Sequence, residues 1–169
     1  LIGVGVLVIG SAVLGDLYDN GSIVYIALRP VASGLVAAGA WSATVTLTLP
    51  VAVVSATSVV LAHSGSGLPA ATIVGSFLSV AAFAGIFVFL GVLVRRAVPV
   101  GLAYLLLWEG FISLAGTSGA ALTVSGYLRS LVARLTDHPV EVAPFTMLVA
   151  VIAPLVIAGA TVAATAWLL

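Results

Sequence analysis

Residues 71–94 read ATIVGSFLSVAAFAGIFVFLGVLV, an apolar run without a charged side chain that ends at Arg95 and Arg96. A helix needs about 20 apolar residues to cross the roughly 30 Å hydrocarbon core of a bilayer. The run is long enough to cross it, and the two arginines mark the point where the chain returns to water. This stretch therefore predicts a transmembrane helix.

The composition of the whole chain indicates the same class of protein. Hydrophobic residues make up 63% of the 169 residues and charged residues only 6%, and the mean hydropathy is +1.38. So few charges cannot keep a soluble domain of this size in solution, so membrane lipids have to cover its surface. The net charge is zero, which leaves no basic stripe for nucleic acid. The sequence contains no cysteine, which excludes disulfides and thiolate metal sites.

Other apolar stretches extend the pattern along the chain. They cover residues 1–15, 41–63, 98–115 and 144–169. Together with 71–94 they predict an all-α, polytopic transmembrane helical bundle with about five spans, in one transmembrane domain that covers 1–169. The chain begins and ends within apolar sequence, so we interpret it as part of a longer protein.

Two polar segments are expected on opposite sides of this bundle. Residues 16–40 follow the first span and share a side with Arg95 and Arg96, which the positive-inside tendency makes cytoplasmic. Residues 117–143 belong to the other side. They are too polar for a span, and their apolar positions recur every three or four residues, at Ala121, Val124, Leu128, Leu131 and Leu135. This spacing predicts an amphipathic or re-entrant helix outside the cytoplasm, with Thr117 or Ser118 capping its start.

The cytoplasmic segment contains an unusual sequence of turn, short helix and break. It comprises a polar turn with a glycine, a short apolar stretch and an Arg-Pro pair: Asp19-Asn20-Gly21-Ser22, then Tyr25 and Ile26, then Arg29-Pro30. Such a segment can present a stiff projection to a partner outside the bilayer. Asp19 fits a helix N-cap equally well, and Arg29 fits an interfacial cation, so both alternatives stay open.

In the order of these elements the chain resembles the membrane subunits of ATP-binding-cassette (ABC) exporters of the ABC type 2 permease family. In that family a span ends in an acidic glycine turn, which is followed by a cytoplasmic coupling helix, an Arg-Pro pair and the next span. Two further stretches are similar to patterns found there, namely Tyr104-x-x-x-Trp108-Glu109-Gly110 and Tyr127-Leu128-Arg129-Ser130.

The resemblance implies a permease of the bacterial inner membrane that pairs with a second permease copy or a paralogue. Six spans are usual in the family, so one would precede Leu1. A separate ABC ATPase subunit would dock on the coupling segment, at Asp19, Gly21, Ser22, Tyr25, Ile26, Arg29 and Pro30. The sequence has no Gly-x-x-x-x-Gly-Lys-Ser/Thr motif, so ATP is expected on the partner, and the chain itself is expected to be neither an enzyme nor a cofactor carrier.

Glu109 is the one acidic residue within a predicted span, and a carboxylate in lipid requires a partner or a wet cavity. Ser113 lies one turn further on, and Arg129 of the outer helix could reach it. We favour a structural hydrogen bond between helices, in which case transport should survive Glu109→Gln. The alternatives are a proton-coupled secondary transporter that uses Glu109 and a non-catalytic membrane assembly subunit. His63 and His138 are isolated, so no metal site is expected.

Overall fold

The computed structural model describes residues 2–19, 31–62, 68–94, 96–112, 119, 122–136 and 145–169. All regular structure in these residues is helical, which confirms the all-α class. The helices are α1 (Ile2–Asp19), α2 (Ser33–Ala62), α3 (Leu68–Leu93), α4 (Ala97–Ala103), a π-helix (Tyr104–Phe111) that continues α4, α5 (Val124–Thr136) and α6 (Met147–Leu168).

Three of these helices are long and apolar enough to cross a membrane. The crossing segments are Ser33–Ser55 in α2, Ile73–Leu93 in α3, and all of α6. The protein is therefore a helical membrane protein, as the composition predicts. Two shorter apolar segments, Ile2–Val13 and Ala97–Phe111, do not reach the length of a full crossing in the described residues. The total of about five spans stays a prediction.

Helix α3 lies at the centre of the bundle and contacts each of the other α-helices. Its middle turns are mostly buried and combine small with large side chains, and six of these residues are 0% exposed: Val80, Ala81, Ala82, Ala84, Phe87 and Val88. Because lipid provides no hydrophobic force between helices, close packing at small residues has to hold such a bundle together. α3 supplies these small residues on several faces at once.

Neighbouring residues establish the relative directions of α1, α3 and α4. Gly3 lies beside Phe83, and Gly91 lies against the backbone of Ser11, so α1 and α3 run parallel. Leu7 packs on Gly101 of α4, and Leu105 of the π-helix reaches back to Gly3. The α4 and π-helix segment is therefore antiparallel to α1.

The directions of the remaining long helices, α2 and α6, follow from two apolar clusters. Val13 near the end of α1, Val36 and Ala40 near the start of α2, and Val88 and Val92 near the end of α3 form one cluster. α2 is therefore antiparallel to α1 and α3.

Helix α6 runs parallel to α3. Leu78 in the first half of α3 and Ala150 near the start of α6 share a cluster, and Gly85 packs on Ala158 further along. Leu131 of α5 belongs to the first of these contacts. The first half of α3, the start of α6, the end of the π-helix and α5 therefore lie together, at what we call the α5 end, and the start of α1 faces this end.

Asp19 and Val31 lie at the opposite end of the bundle, where α1 ends and α2 begins. Asp19 and Val31 are thus separated from α5 by the length of the bundle. The placement of residues 16–40 as a cytoplasmic segment stays a prediction. Which end faces the cytoplasm stays a prediction.

The tight contact between α3 and α6 can be tested at Gly85. A Cβ atom here would lie 3.2 Å from the Cα and the carbonyl oxygen of Ala158 and would overlap Thr161 Oγ1. We expect Gly85→Val to lower the free energy of unfolding in detergent by about 1–3 kcal/mol, the usual cost of overpacking. Gly159→Val is the matched control, because nothing lies within 4 Å of that position. Equal thermal stability of the two variants would contradict this packing.

The directions of the helices can be tested by labelling single introduced cysteines, since the sequence contains no cysteine. Val31 and Met147 are exposed at opposite ends of the bundle, at 46% and 50%. We expect a membrane-impermeant thiol reagent to reach Val31→Cys and Met147→Cys from opposite sides of sealed vesicles. Labelling of both from one side would refute the helix directions.

Candidate functional site

The candidate site forms where the π-helix meets the start of α5. Glu109 belongs to the π-helix and is only 8% exposed, although it carries a carboxylate. A π-helix is a wider helical turn that often occurs at functional positions. It places Glu109 next to Trp108 at the α5 end of the bundle.

Both carboxylate oxygens of Glu109 accept hydrogen bonds from the start of α5. Oε1 accepts from the backbone N–H of Val124 at 2.8 Å. Oε2 accepts from the backbone N–H of Ser125 at 3.1 Å and from the Ser125 hydroxyl at 2.6 Å. The hydroxyl of Tyr104, on the same π-helix, donates to Oε1 over 3.4 Å. The carboxylate is thus saturated with donors.

These bonds cap α5, because the first N–H groups of a helix have no acceptor within the helix. Glu109 satisfies the first two, on Val124 and Ser125, and the Thr123 hydroxyl accepts from the third, on Gly126, at 3.2 Å. Thr123 is 0% exposed. In the described residues α5 therefore begins at Val124 with Thr123 as its cap. The predicted caps, Thr117 and Ser118, lie outside those residues.

Trp108 adds a hydrogen bond in which the π-helix side chain is the donor, whereas Glu109 is an acceptor. Its indole Nε1–H donates to the carbonyl oxygen of Leu122 at 2.9 Å. Two adjacent side chains of the π-helix thus bind one acceptor and three donors of residues 122–125. We call Trp108 and Glu109 together with residues 122–125 the Glu109 clamp.

The positive end of the α5 dipole compensates the carboxylate in place of a basic side chain. Among the described residues, the hydrogen-bond partners of Glu109 are Tyr104, Val124 and Ser125. Arg129 is exposed one turn further along α5 and is not one of them. Ser113 lies outside the described residues. Tyr104 is the one titratable side chain in the set, so the geometry suits positioning of α5 better than relay of a proton.

The other predicted site residues fall into two groups. Tyr127 stacks at a tilt on Phe145, with ring centroids 4.9 Å apart, and so joins α5 to the start of the α6 region. Asp19 is the last residue of α1. The rest of the predicted coupling residues lie outside the described residues: Gly21, Ser22, Tyr25, Ile26, Arg29 and Pro30.

Trp108, Thr123 and Ser125 have roles that the sequence analysis missed. A threonine before a helix is a usual N-cap signal, and a capping box would add Glu or Gln three residues later. Here that position holds Gly126, so the local pattern is incomplete. The carboxylate comes instead from Glu109 on another helix, a pairing that local spacing cannot reveal.

Fold and site define a helical membrane protein in which a buried carboxylate of one helix caps another. Among the described residues no group of acidic or histidine side chains could hold a metal ion. Comparison with protein-family models, with curated proteins and with solved structures found no match to this chain.

The clamp requires two acceptor oxygens on residue 109, which changes the meaning of the Glu109→Gln substitution. Glutamine keeps the shape but turns an amide NH₂ towards a backbone N–H, so one buried donor loses its acceptor. We expect Glu109→Gln to lower the free energy of unfolding by about 1–3 kcal/mol, as for a buried polar group left unpaired. Thermal unfolding in detergent measures this effect.

Arg129→Gln is the matched control, since it removes an exposed charge from the same helix. We expect it to change stability by less than about 0.5 kcal/mol. Wild-type stability of Glu109→Gln would show that the carboxylate does not hold α5.

Proposed function

We propose that this chain is the transmembrane permease subunit of an ATP-driven ABC exporter. In this proposal it moves a lipid-like or amphiphilic substrate out of the cytoplasm, in the inner membrane of a bacterium. It works as a dimer with a second copy or a paralogue, and a separate ATPase subunit supplies the energy. The basis is the sequence resemblance described above, in particular the turn, short apolar stretch and Arg-Pro pair between α1 and α2.

The observation that best supports the proposal is that the ends of α1 and α2 next to segment 20–30 lie at the opposite end of the bundle from α5. Asp19 and Val31, which flank segment 20–30, belong to the end opposite α5. A coupling segment has to face the cytoplasm, whereas an amphipathic helix on the far side has to lie away from the ATPase. The separation of the two along the bundle fits this requirement.

Helix packing offers a route by which force on segment 20–30 could reach the centre of the bundle. Both helices that flank the segment contact α3 closely. A Cβ atom on Gly91 of α3 would lie 3.0 Å from the carbonyl oxygen of Ser11 in α1. Trp41 of α2 donates its indole N–H to the carbonyl oxygen of Ala81 in α3 at 2.9 Å. A subunit without its own nucleotide motif needs such a mechanical connection.

The clamp argues against a proton-coupled secondary transporter. In such a protein Glu109 would have to exchange its proton with water or substrate during each cycle. Its oxygens instead accept bonds from Val124 and Ser125, which hold α5 in place. A non-catalytic membrane assembly subunit is compatible with the clamp, but it leaves the segment between α1 and α2 without a role.

The test is the double variant Tyr25→Ala and Ile26→Ala in the predicted contact with the ATPase. Loss of two buried apolar side chains at about 25 cal/mol per Å² should weaken docking by a few kcal/mol without unfolding the bundle. We expect reduced copurification of the ATPase subunit and loss of substrate-stimulated ATP hydrolysis.

The matched control is Met147→Ala with Leu148→Ala, two apolar residues exposed at the α5 end. This pair should leave association with the ATPase unchanged. Unchanged association and stimulation in the Tyr25 and Ile26 variant would refute the coupling role, and with it the proposed exporter.

A further inference from the structure

Helix α5 is attached to the bundle in two physically different ways. Its start is held by the Glu109 clamp, and Leu128 and Leu131 further along pack on α3 and α6. Leu128 lies 3.8 Å from the position of a Cβ on Gly75 of α3. Leu131 is 0% exposed and packs in one cluster with Leu78 of α3 and Ala150 of α6. We call residues 128–131 the α5 body.

The clamp is the stronger of the two attachments. Glu109 accepts from two backbone N–H groups and one hydroxyl, and Trp108 donates to the carbonyl of Leu122. Hydrogen bonds to a carboxylate are shorter and stronger than those between neutral groups. Separation of this end from the π-helix would leave several polar groups unpaired at once.

The α5 body contains a buried hydroxyl group without a hydrogen-bond partner among the described residues, that of Ser130. Ser130 is 0% exposed, and its hydroxyl oxygen has no hydrogen-bond partner. Elsewhere in the bundle buried hydroxyls donate to the carbonyl four residues earlier, as Ser11, Thr44, Thr48, Ser79 and Thr165 do. A buried polar group without a partner destabilises the state that buries it.

This difference sets the direction in which α5 can move. If the body leaves α3 and α6, Ser130 gains contact with water or lipid headgroups, whereas the clamp loses nothing. The apolar contacts of Leu128 and Leu131, together with the ring contact between Tyr127 and Phe145, then hold the body against the bundle. The end held by Glu109 stays in place during such a movement.

We propose that α5 is a hinged lid, with the Glu109 clamp as its pivot and the α5 body as its moving part. Opening uncovers Leu78 in the first half of α3 and Ala150 near the start of α6. This device depends on the clamp and on Ser130, and it does not require that the protein be an exporter.

Single cysteines provide the test, because the sequence contains none. Ala150→Cys, 0% exposed under the body, reports opening, and Val124→Cys, 2% exposed at the clamp, reports movement of the pivot. The protein is placed in lipid nanodiscs, and a water-soluble maleimide is added. We expect Ala150→Cys to react at least about tenfold faster than Val124→Cys, since local opening is governed by its own free energy.

Two further substitutions should change the rate at Ala150→Cys in opposite directions. Ser130→Ala removes the unpaired hydroxyl and should slow the reaction about fivefold or more. Leu131→Ala removes packing from the body and should accelerate it, with the rate at Val124→Cys unchanged in both backgrounds.

Three results would overturn the hinge. Equal labelling rates at the two cysteines would mean that α5 moves as a whole or not at all. A rate at Ala150→Cys that does not respond to Ser130→Ala would mean that the buried hydroxyl does not oppose docking. A rise at both cysteines in Leu131→Ala would indicate loss of the whole α5 attachment instead of rotation about the clamp.

Discussion

Polar backbone groups that leave water must find partners within the protein, and this requirement determines the structure around α5. The N–H group of Val124 is buried and that of Ser125 is half-buried, and the carboxylate of Glu109 accepts both. The charge of Glu109 is acceptable in an apolar protein for the same reason, because the helix start supplies donors and a positive dipole. The carboxylate and the N–H groups offset each other's cost of burial, so the π-helix and the start of α5 are held together.

The rest of the bundle depends on close approach between helices. α3 contacts every other α-helix, and glycines such as Gly85 and Gly91 lie where a neighbouring backbone comes nearest. Because this packing leaves little space, α1, α2 and α6 are coupled to one another through α3. The same coupling underlies the proposal that force applied between α1 and α2 reaches the centre of the membrane domain.

The two ends of the bundle carry different elements. The segment that resembles a coupling element joins α1 and α2 at one end, and α5 lies at the other. In an exporter these ends would have separate tasks, contact with the ATPase and contact with the medium that receives the substrate. The clamp and the unpaired Ser130 give α5 one firm and one weak attachment, a combination suited to a moving part.

The membrane class, the all-α fold and the presence of a helix within 117–143 could be predicted from the sequence. Long uncharged runs such as 71–94 fit only a helix across lipid, and the spacing of Val124, Leu128 and Leu131 is helical. The importance of Glu109 was also evident, because a lone acid in apolar sequence needs a partner. These features depend on composition and local periodicity, which are properties of the chain itself.

The identity of that partner was decided by tertiary structure alone. Val124 and Ser125 lie 15 and 16 residues after Glu109 along the chain. Every residue except proline has a backbone N–H group, so residue types do not show which of these groups will bind a carboxylate. The central position of α3 was equally hidden, since helices that are apolar on all sides do not reveal which side meets protein and which meets lipid. Contacts between helices depend on the arrangement of several segments in space, so no single segment encodes them.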